Sequence, residues 1–204
     1  MTADAPVLDL RVKLAADPGA IIETVAKETG ATLREIVDAL PAEMRRFAPA
    51  DAFIAVMTDV ARWGNVTVII HTDDGVMEFT GLVPPGSVAQ GYYNLSSRTG
   101  FHGHLRHERC GGIAFVERPF FGRPSASILF FNVDGGIMFK IFVGRDEKRE
   151  LLSDQLAAFR VRRINCPCPG GDVPGDFNRL WFCWPCCHSD GTKSKSNIID
   201  APVH

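Results

Sequence analysis

Two tyrosines and six histidines carry most of the chemistry this chain offers. Tyr92 and Tyr93 stand together in GYYNL, His71 follows an apolar run in VIIHT, and His102, His104 and His107 crowd into FHGHLRH. Phenols and imidazoles are ordinary structural donors, but they are also metal ligands: a phenolate oxygen suits Fe(III), and imidazole serves zinc and iron. A zinc site asks for four ligands, and although His102 and His104 flank one glycine, residues 1–163 hold no CxxC or HExxH to complete a set. A haem asks for one or two iron ligands, a broad apolar slot, and one or two cations for its propionates. Tyrosine or histidine supplies the first, the many Phe and Met residues supply the second, and Lys140 or Arg118 supplies the third through charge-assisted hydrogen bonds. Other chemistries lack their parts. There is no G-x-S-x-G nucleophile elbow, and GGI at 111–113 and DGGI at 134–137 are turn-like, without phosphate-loop or dinucleotide spacing.

These residues fall in a strand-rich stretch. Between Gly64 and Val143 the chain reads NVTVIIHT, VMEFTGLV, GYYNL, HLRHERC, IAFVER, SILFFNV and GIMFKIFVG, β-branched and aromatic runs separated by turn signals. Asp73-Asp74-Gly75 and Asp134-Gly135-Gly136 predict hairpins and hence antiparallel pairing. Period-2 alternation groups Ile69 with His71, His104 with Arg106 and Glu108, and Lys140 with Met138 and Phe142. ILFF and IFV are apolar on both faces, which predicts sheets covered by helices or by a partner subunit.

Helices flank the strands. Residues 17–40 read as two short helices, with Pro18 opening the first, Gly30 closing it, Thr32 capping the second and Pro41 stopping it. Their length is that of a helix-turn-helix. The second carries only Arg34 as a base, beside Glu35 and Asp38, which favours packing over DNA reading. A third helix over 49–62 places Phe53, Val56, Met57 and Val60 on one face, and an amphipathic helix from Asp146 turns Leu151, Leu152, Leu156 and Phe159 inward. The expected fold is α+β, with mainly antiparallel sheets, N-terminal helices, a C-terminal helix and an irregular tail. Its divisions are a lead over 1–17, one domain over 18–163 (helical pair 18–40, sheet core 64–143, helix 146–162) and a Cys/Pro-rich tail over 164–204.

Apolar residues make up 46% and charged residues 23% of the 204, with a net charge of -2. That is globular composition, and it gives no general basic surface for nucleic acid. The first residues are acidic where a signal peptide is basic, and no apolar run approaches the roughly 18–20 residues of a membrane helix. A cytoplasmic protein without membrane insertion is expected. Of six cysteines only Cys110 precedes residue 166, which fits a reducing compartment.

WGNVTVIIHTDDGVMEFTGLVPPG, then GYYNL, then GHLRHERCGGIAFVERPFFGRPSASILFFNVDGGIMFKIFVGRDEKRELLSDQLAAF resemble the haem-utilisation cytosolic carrier family of the HutX/ChuX type, over roughly residues 18–160 in order. The resemblance implies a HemS/ChuX-like fold of two sheets flanked by helices and a homodimer. It also implies an intracellular carrier in iron acquisition that binds haem as cargo and passes it to a downstream haem-degrading enzyme. The family's GYxNL tyrosine falls on Tyr92, the implied axial ligand to ferric haem, and its haem-associated histidines fall on His71 and His104. Tyr93 stands where relatives more often have Phe, and adds a second phenol. Lys140 and Arg118 enter on physical grounds alone, as propionate partners. Two other functions stay open on the residues: an enzyme that cleaves or dechelates haem, and a DNA-binding regulator using residues 18–40.

Relatives end soon after the helix that finishes near Phe159. Beyond it, Cys166-Pro167 and Cys168-Pro169 are Cys-Pro dipeptides of the haem-regulatory kind, and Cys183, Cys186, Cys187 and His188 have zinc-like spacing. Without apolar periodicity, residues 164–204 read foremost as a disordered extension or a reading-frame artefact.

Overall fold

The structure, a computed structural model, describes residues 5–97 and 100–165. The helices among them are α1 (Ala5–Ala16), α2 (Ile22–Thr29), α3 (Leu33–Ala39), α4 (Phe53–Val60) and α5 (Ser153–Asn165). The strands are β1 (Arg45–Ala48), β2 (Asn65–Thr72), β3 (Gly75–Leu82), β4 (Gly86–Ala89), β5 (Tyr92–Leu95), β6 (Gly103–Leu105), β7 (Cys110–Phe120), β8 (Arg123–Asn132) and β9 (Ile137–Phe142). Six strands form one antiparallel sheet in the order β1-β7-β8-β9-β2-β3, and three form a second in the order β4-β5-β6.

The doubly apolar ILFF run lies at the centre of the large sheet, where both faces are covered. Ala126, Ile128 and Phe130 join Phe53, Val56, Met57 and Val60 of α4, Phe159 of α5, and Tyr93 and Leu95 of the small sheet. Leu129 and Phe131 face the other way, with Ala114 and Val116, onto Leu10, Leu14, Ile22, Val25, Ile36 and Val37 of α1–α3. Side-chain alternation along β8 therefore feeds two cores at once. Gln155 of α5, itself buried, ties the first core shut: its Oε1 accepts the Gly144 N–H (2.8 Å), while its Nε2 donates to Trp63 O (2.8 Å) and Asn65 O (2.9 Å).

The helical pair packs in the second core. Gly30 ends α2 at φ +71, donating its N–H to Ala26 O at 2.8 Å. Thr32 and Glu35 form a capping box on α3, a device worth about 0.5–2 kcal/mol. Arg34 is turned into the protein, its guanidinium 4.0 Å from the Phe47 ring centroid and 5.4 Å from that of Phe131.

Five expectations are corrected. Residues 5–16 of the lead form a helix, α1, which brings Leu10 and Leu14 into the second core. Pro18 does not open α2. The helix starts at Ile22, after a turn in which the Asp17 Oδ1 accepts the Gly19 N–H at 3.1 Å, and Arg118 occupies the Pro18 and Ala20 carbonyls. HLRHERC is a strand only to Leu105, because the Arg109 N–H closes a 3-10 turn onto Arg106 O at 3.0 Å, so His104, Arg106 and Glu108 do not share a pleated face. Met138 parts from Lys140: a register shift opposite Phe130 and Phe131 turns it to the first core. The C-terminal helix starts at Ser153 and not at Asp146, because the Asp146 carboxylate captures the Glu150 N–H (2.9 Å) and turns residues 145–151 into a tight loop with Arg149 at φ +66. Aspartate's short reach to a nearby backbone N–H competes with helix here, and wins.

Candidate functional site

Tyr92 is placed by a two-residue turn. Gln90 (φ +54) and Gly91 (φ +78) both adopt positive φ between β4 and β5, the geometry of a type I′ hairpin whose twist matches its strands. Strand alternation then separates the two tyrosines. Tyr93 turns inward, 1% exposed, its ring edge-on to Phe53 at 5.6 Å and its hydroxyl accepting the Gly86 N–H at 3.1 Å. The approach is so close that a Cβ on Gly86 would lie 2.4 Å from the Tyr93 ring, so only glycine fits there. Tyr92 turns outward on the face that also carries Asn94 and His104.

Asn94 anchors the His104 ring. Its Nδ2 faces the carbonyls of Ser87, Ala89 and Tyr92 at 3.2, 3.1 and 3.2 Å, which assigns its Oδ1 to the opposite side. That Oδ1 lies 2.6 Å from His104 Nδ1. An amide oxygen only accepts, so His104 Nδ1 is the donor in this bond. The His104 ring meets Tyr92 edge-on with centroids 6.0 Å apart, and the Arg106 guanidinium carbon lies 5.7 Å from the Tyr92 ring centroid. Phenol, imidazole and guanidinium thus converge on one exposed corner of the small sheet.

His71, Lys140 and Arg118 gather elsewhere. The register pairs Ile69 with Lys140 and Leu129 with Lys140, and sets Arg118 opposite Ser125 and Val116 opposite Ser127. All of these side chains rise toward α2. Glu23, in the first turn of α2, meets the buried Lys140 Nζ in an ion pair, and the same oxygen lies 3.4 Å from His71 Nδ1. Arg118 donates through one terminal nitrogen to Pro18 O (2.5 Å) and Ala20 O (2.8 Å). Burial pulls the Arg118 guanidinium below its ordinary pKa, opposed by Glu23 and Asp17; it stays a cation, as guanidinium does in proteins.

The structure therefore brings Tyr92 together with His104, and His71 together with Lys140 and Arg118. It does not bring the two sets together within one chain, because the first core and the large sheet stand between them. His102 holds Gly100 O at 2.9 Å and joins neither set. Glu23, Asn94, Ser125 and Ser127 escape sequence reasoning. The serines left a trace, two hydroxyls at period 2 entering an otherwise apolar strand. Among the described residues no three His, Cys, Asp or Glu groups are placed to hold a metal ion. Cys166, Cys168, Cys183, Cys186, Cys187 and His188 lie outside the described residues.

The fold is α+β, and the corner at Tyr92 gathers phenol, imidazole and guanidinium groups. Residues 46–161 match the family described as haem utilisation ChuX/HutX, and the chain belongs to that family. It is 39% identical over 145 residues to the intracellular heme transport protein HutX of Vibrio cholerae serotype O1, covering 71% of this chain and 75% of that protein. A solved structure of the heme binding protein ChuX superimposes with a TM-score of 0.70 at 44% identity, over 76% of this chain and 97% of ChuX. Apo-PhuS, a heme-binding protein from Pseudomonas aeruginosa, shares the fold at 17% identity (TM-score 0.65), with 78% of this chain matching 48% of PhuS. No helix among the described residues is long and apolar enough to cross a membrane.

Proposed function

We propose that this protein is a cytoplasmic haem carrier that receives haem, shields its iron and passes it to a haem-degrading enzyme. The observation that carries the reading is the exposed corner where Tyr92, His104 and Arg106 converge on a rigid hairpin, in a chain whose relatives HutX and ChuX are named for haem. A phenolate is a hard donor for ferric iron, and a bound cation favours its deprotonated form. Tyr92 is the axial ligand on this reading. His104 is the neighbouring imidazole, and Tyr93 contributes by setting the hairpin rather than by touching iron.

The carrier works as a homodimer. One chain separates Tyr92 and His104 from His71, Lys140 and Arg118 by a whole sheet, and an identical second copy offers the missing set. The β3 edge supports this, since Val76, Met77 and Leu82 are 53%, 57% and 62% exposed on a strand that pairs with β2 on one side and has no strand on its other side among the described residues, an apolar edge of the kind that partners cover. The likeness to PhuS supports it too: one chain of this fold accounts for about half of that longer chain. Residues 18–163 form the carrier domain, with α1 added to its helical face.

Carrier and haem-degrading enzyme are separated by turnover. The haem complex, incubated with reductant and oxygen in the presence of catalase, keeps its Soret band if the protein is a carrier. Rapid bleaching at catalytic protein levels would move the assignment to degradation.

A further inference from the structure

We propose that Asn94 positions His104 as a second iron donor, and that haem iron passes from the Tyr92 phenolate to His104 when it is reduced. On the carrier reading, on which this rests, reduction thereby changes how the protein holds its cargo.

The hairpin register sets the two donors side by side. Asn94 stands opposite His104 across β5 and β6, and Tyr92 lies two residues before Asn94, so strand alternation sends all three side chains to one face. The Tyr92 and His104 rings meet there with centroids 6.0 Å apart. Asn94 ties them to one turn. Its Nδ2 faces Ser87 O, Ala89 O and the carbonyl of Tyr92 itself, and its Oδ1 lies 2.6 Å from His104 Nδ1. A histidine that ligates a metal nearly always gives its other ring N–H to an oxygen, which orients the ring and strengthens the donor. His104 has this arrangement. Its Nδ1 is spent on Asn94, and among the described residues nothing bonds to its Nε2. The His71 Nδ1, by contrast, lies 3.4 Å from a Glu23 oxygen that also holds Lys140.

Donor hardness gives the order of use. A phenolate is a hard, anionic oxygen suited to Fe(III), whereas imidazole is a neutral, softer nitrogen that also serves Fe(II). With Tyr92 bound to Fe(III), a one-electron donor of the reduced-flavin class converts the iron to Fe(II). The Fe–O bond breaks, the phenolate oxygen takes a proton from water, and a bond forms between Fe(II) and His104 Nε2. The imidazole stays neutral, its one proton on Nδ1 facing Asn94. Tyr92 is half-buried and His104 exposed, so the exchange moves the iron toward solvent, where an acceptor can reach it.

The test follows wild type, His104→Ala, Asn94→Leu and Asn94→Asp by absorption and resonance Raman, before and after anaerobic reduction of the haem complex with dithionite. Melting curves confirm that each variant folds. Reduced wild type is expected to show an Fe(II)–imidazole stretching band, and His104→Ala to lose it although its ferric complex keeps the phenolate band. Asn94→Leu, of similar size but without an acceptor, should weaken ferrous haem binding about tenfold, the scale on which outer partners of ligating histidines act. Asn94→Asp, which keeps an oxygen for Nδ1, should restore most of that loss. Absence of the imidazole band from reduced wild type, or its survival in His104→Ala, overturns the exchange and leaves the carrier reading intact. So does an Asn94→Asp protein that binds ferrous haem no better than Asn94→Leu, which would make Asn94 a merely structural residue. Failure of wild type to bind ferric haem overturns both.

Discussion

The Tyr92 ring meets His104 edge-on at a centroid distance of 6.0 Å, while its chain neighbour Tyr93 spends its hydroxyl on the Gly86 N–H at 3.1 Å. Adjacent phenols thus have separate duties, and substitution separates them. Tyr92→Phe is expected to change the ferric haem spectrum and weaken binding while leaving stability within about 0.5 kcal/mol, since it removes only the hydroxyl of a half-buried side chain and keeps the ring. Tyr93→Phe should leave the spectrum nearly unchanged but cost about 1–3 kcal/mol, because the part-buried Gly86 N–H loses its acceptor. Spectra and urea melts of both variants check this pairing.

The division of the site between two faces has a test in mixed dimers. Tyr92→Phe and His71→Ala homodimers should each fail to form the native haem complex. Refolded together, they give a heterodimer in which one site carries both substitutions and the other carries neither, so one native-type spectrum per heterodimer should return. If a single chain holds the whole site, mixing restores nothing.

Much of this was legible in the residues before any coordinates. The β2–β3 and β8–β9 hairpins follow from Asp-Gly turns between β-branched runs, and Thr32 and Gly30 mark helix ends through chemistry that acts within four residues. Tyr92 and His104 stood out because phenol and imidazole are few in this chain. The failures share one cause, which is competition by contacts remote in sequence or by side chains that capture the backbone. Arg118 takes carbonyls 98 and 100 residues away and so holds the chain before α2 out of the helix. Asp146 captures Glu150 and delays α5. The Gln90-Gly91 turn lacks the usual Asn or Asp at its first position, and Glu23 meets Lys140 across 117 residues, which no local pattern announces.

Gln155 predicts where stability is concentrated. Gln155→Ala removes three hydrogen bonds that join α5 to the start of β2 and the end of β9, leaving buried groups unpaired at a cost of about 2–4 kcal/mol. A urea midpoint lowered accordingly, at unchanged slope, is the expected result; a shift below about 0.5 kcal/mol would mean that water replaces the amide without loss.

Cys110 gives a pH signature. Burial raises its thiol above the ordinary value, and backbone hydrogen bonding at Gly112 and the charge of Arg34 only partly oppose this. The unfolded thiol ionises near 9.0 while the folded one keeps its proton, so stability falls as pH rises through and beyond that value. Cys110→Ala should flatten the alkaline end of the stability profile, and peptide mapping after iodoacetamide treatment at neutral pH should find Cys110 unmodified in the folded protein.

The central claim, that this chain binds haem as cargo, is tested most directly by titrating the haem-free protein with ferric haem and following the Soret absorption. The account predicts a saturable complex at one haem per protomer whose spectrum is that of an oxygen-ligated ferric haem and is lost in Tyr92→Phe. A linear, unsaturable response, or the same spectrum and affinity in Tyr92→Phe, would contradict it.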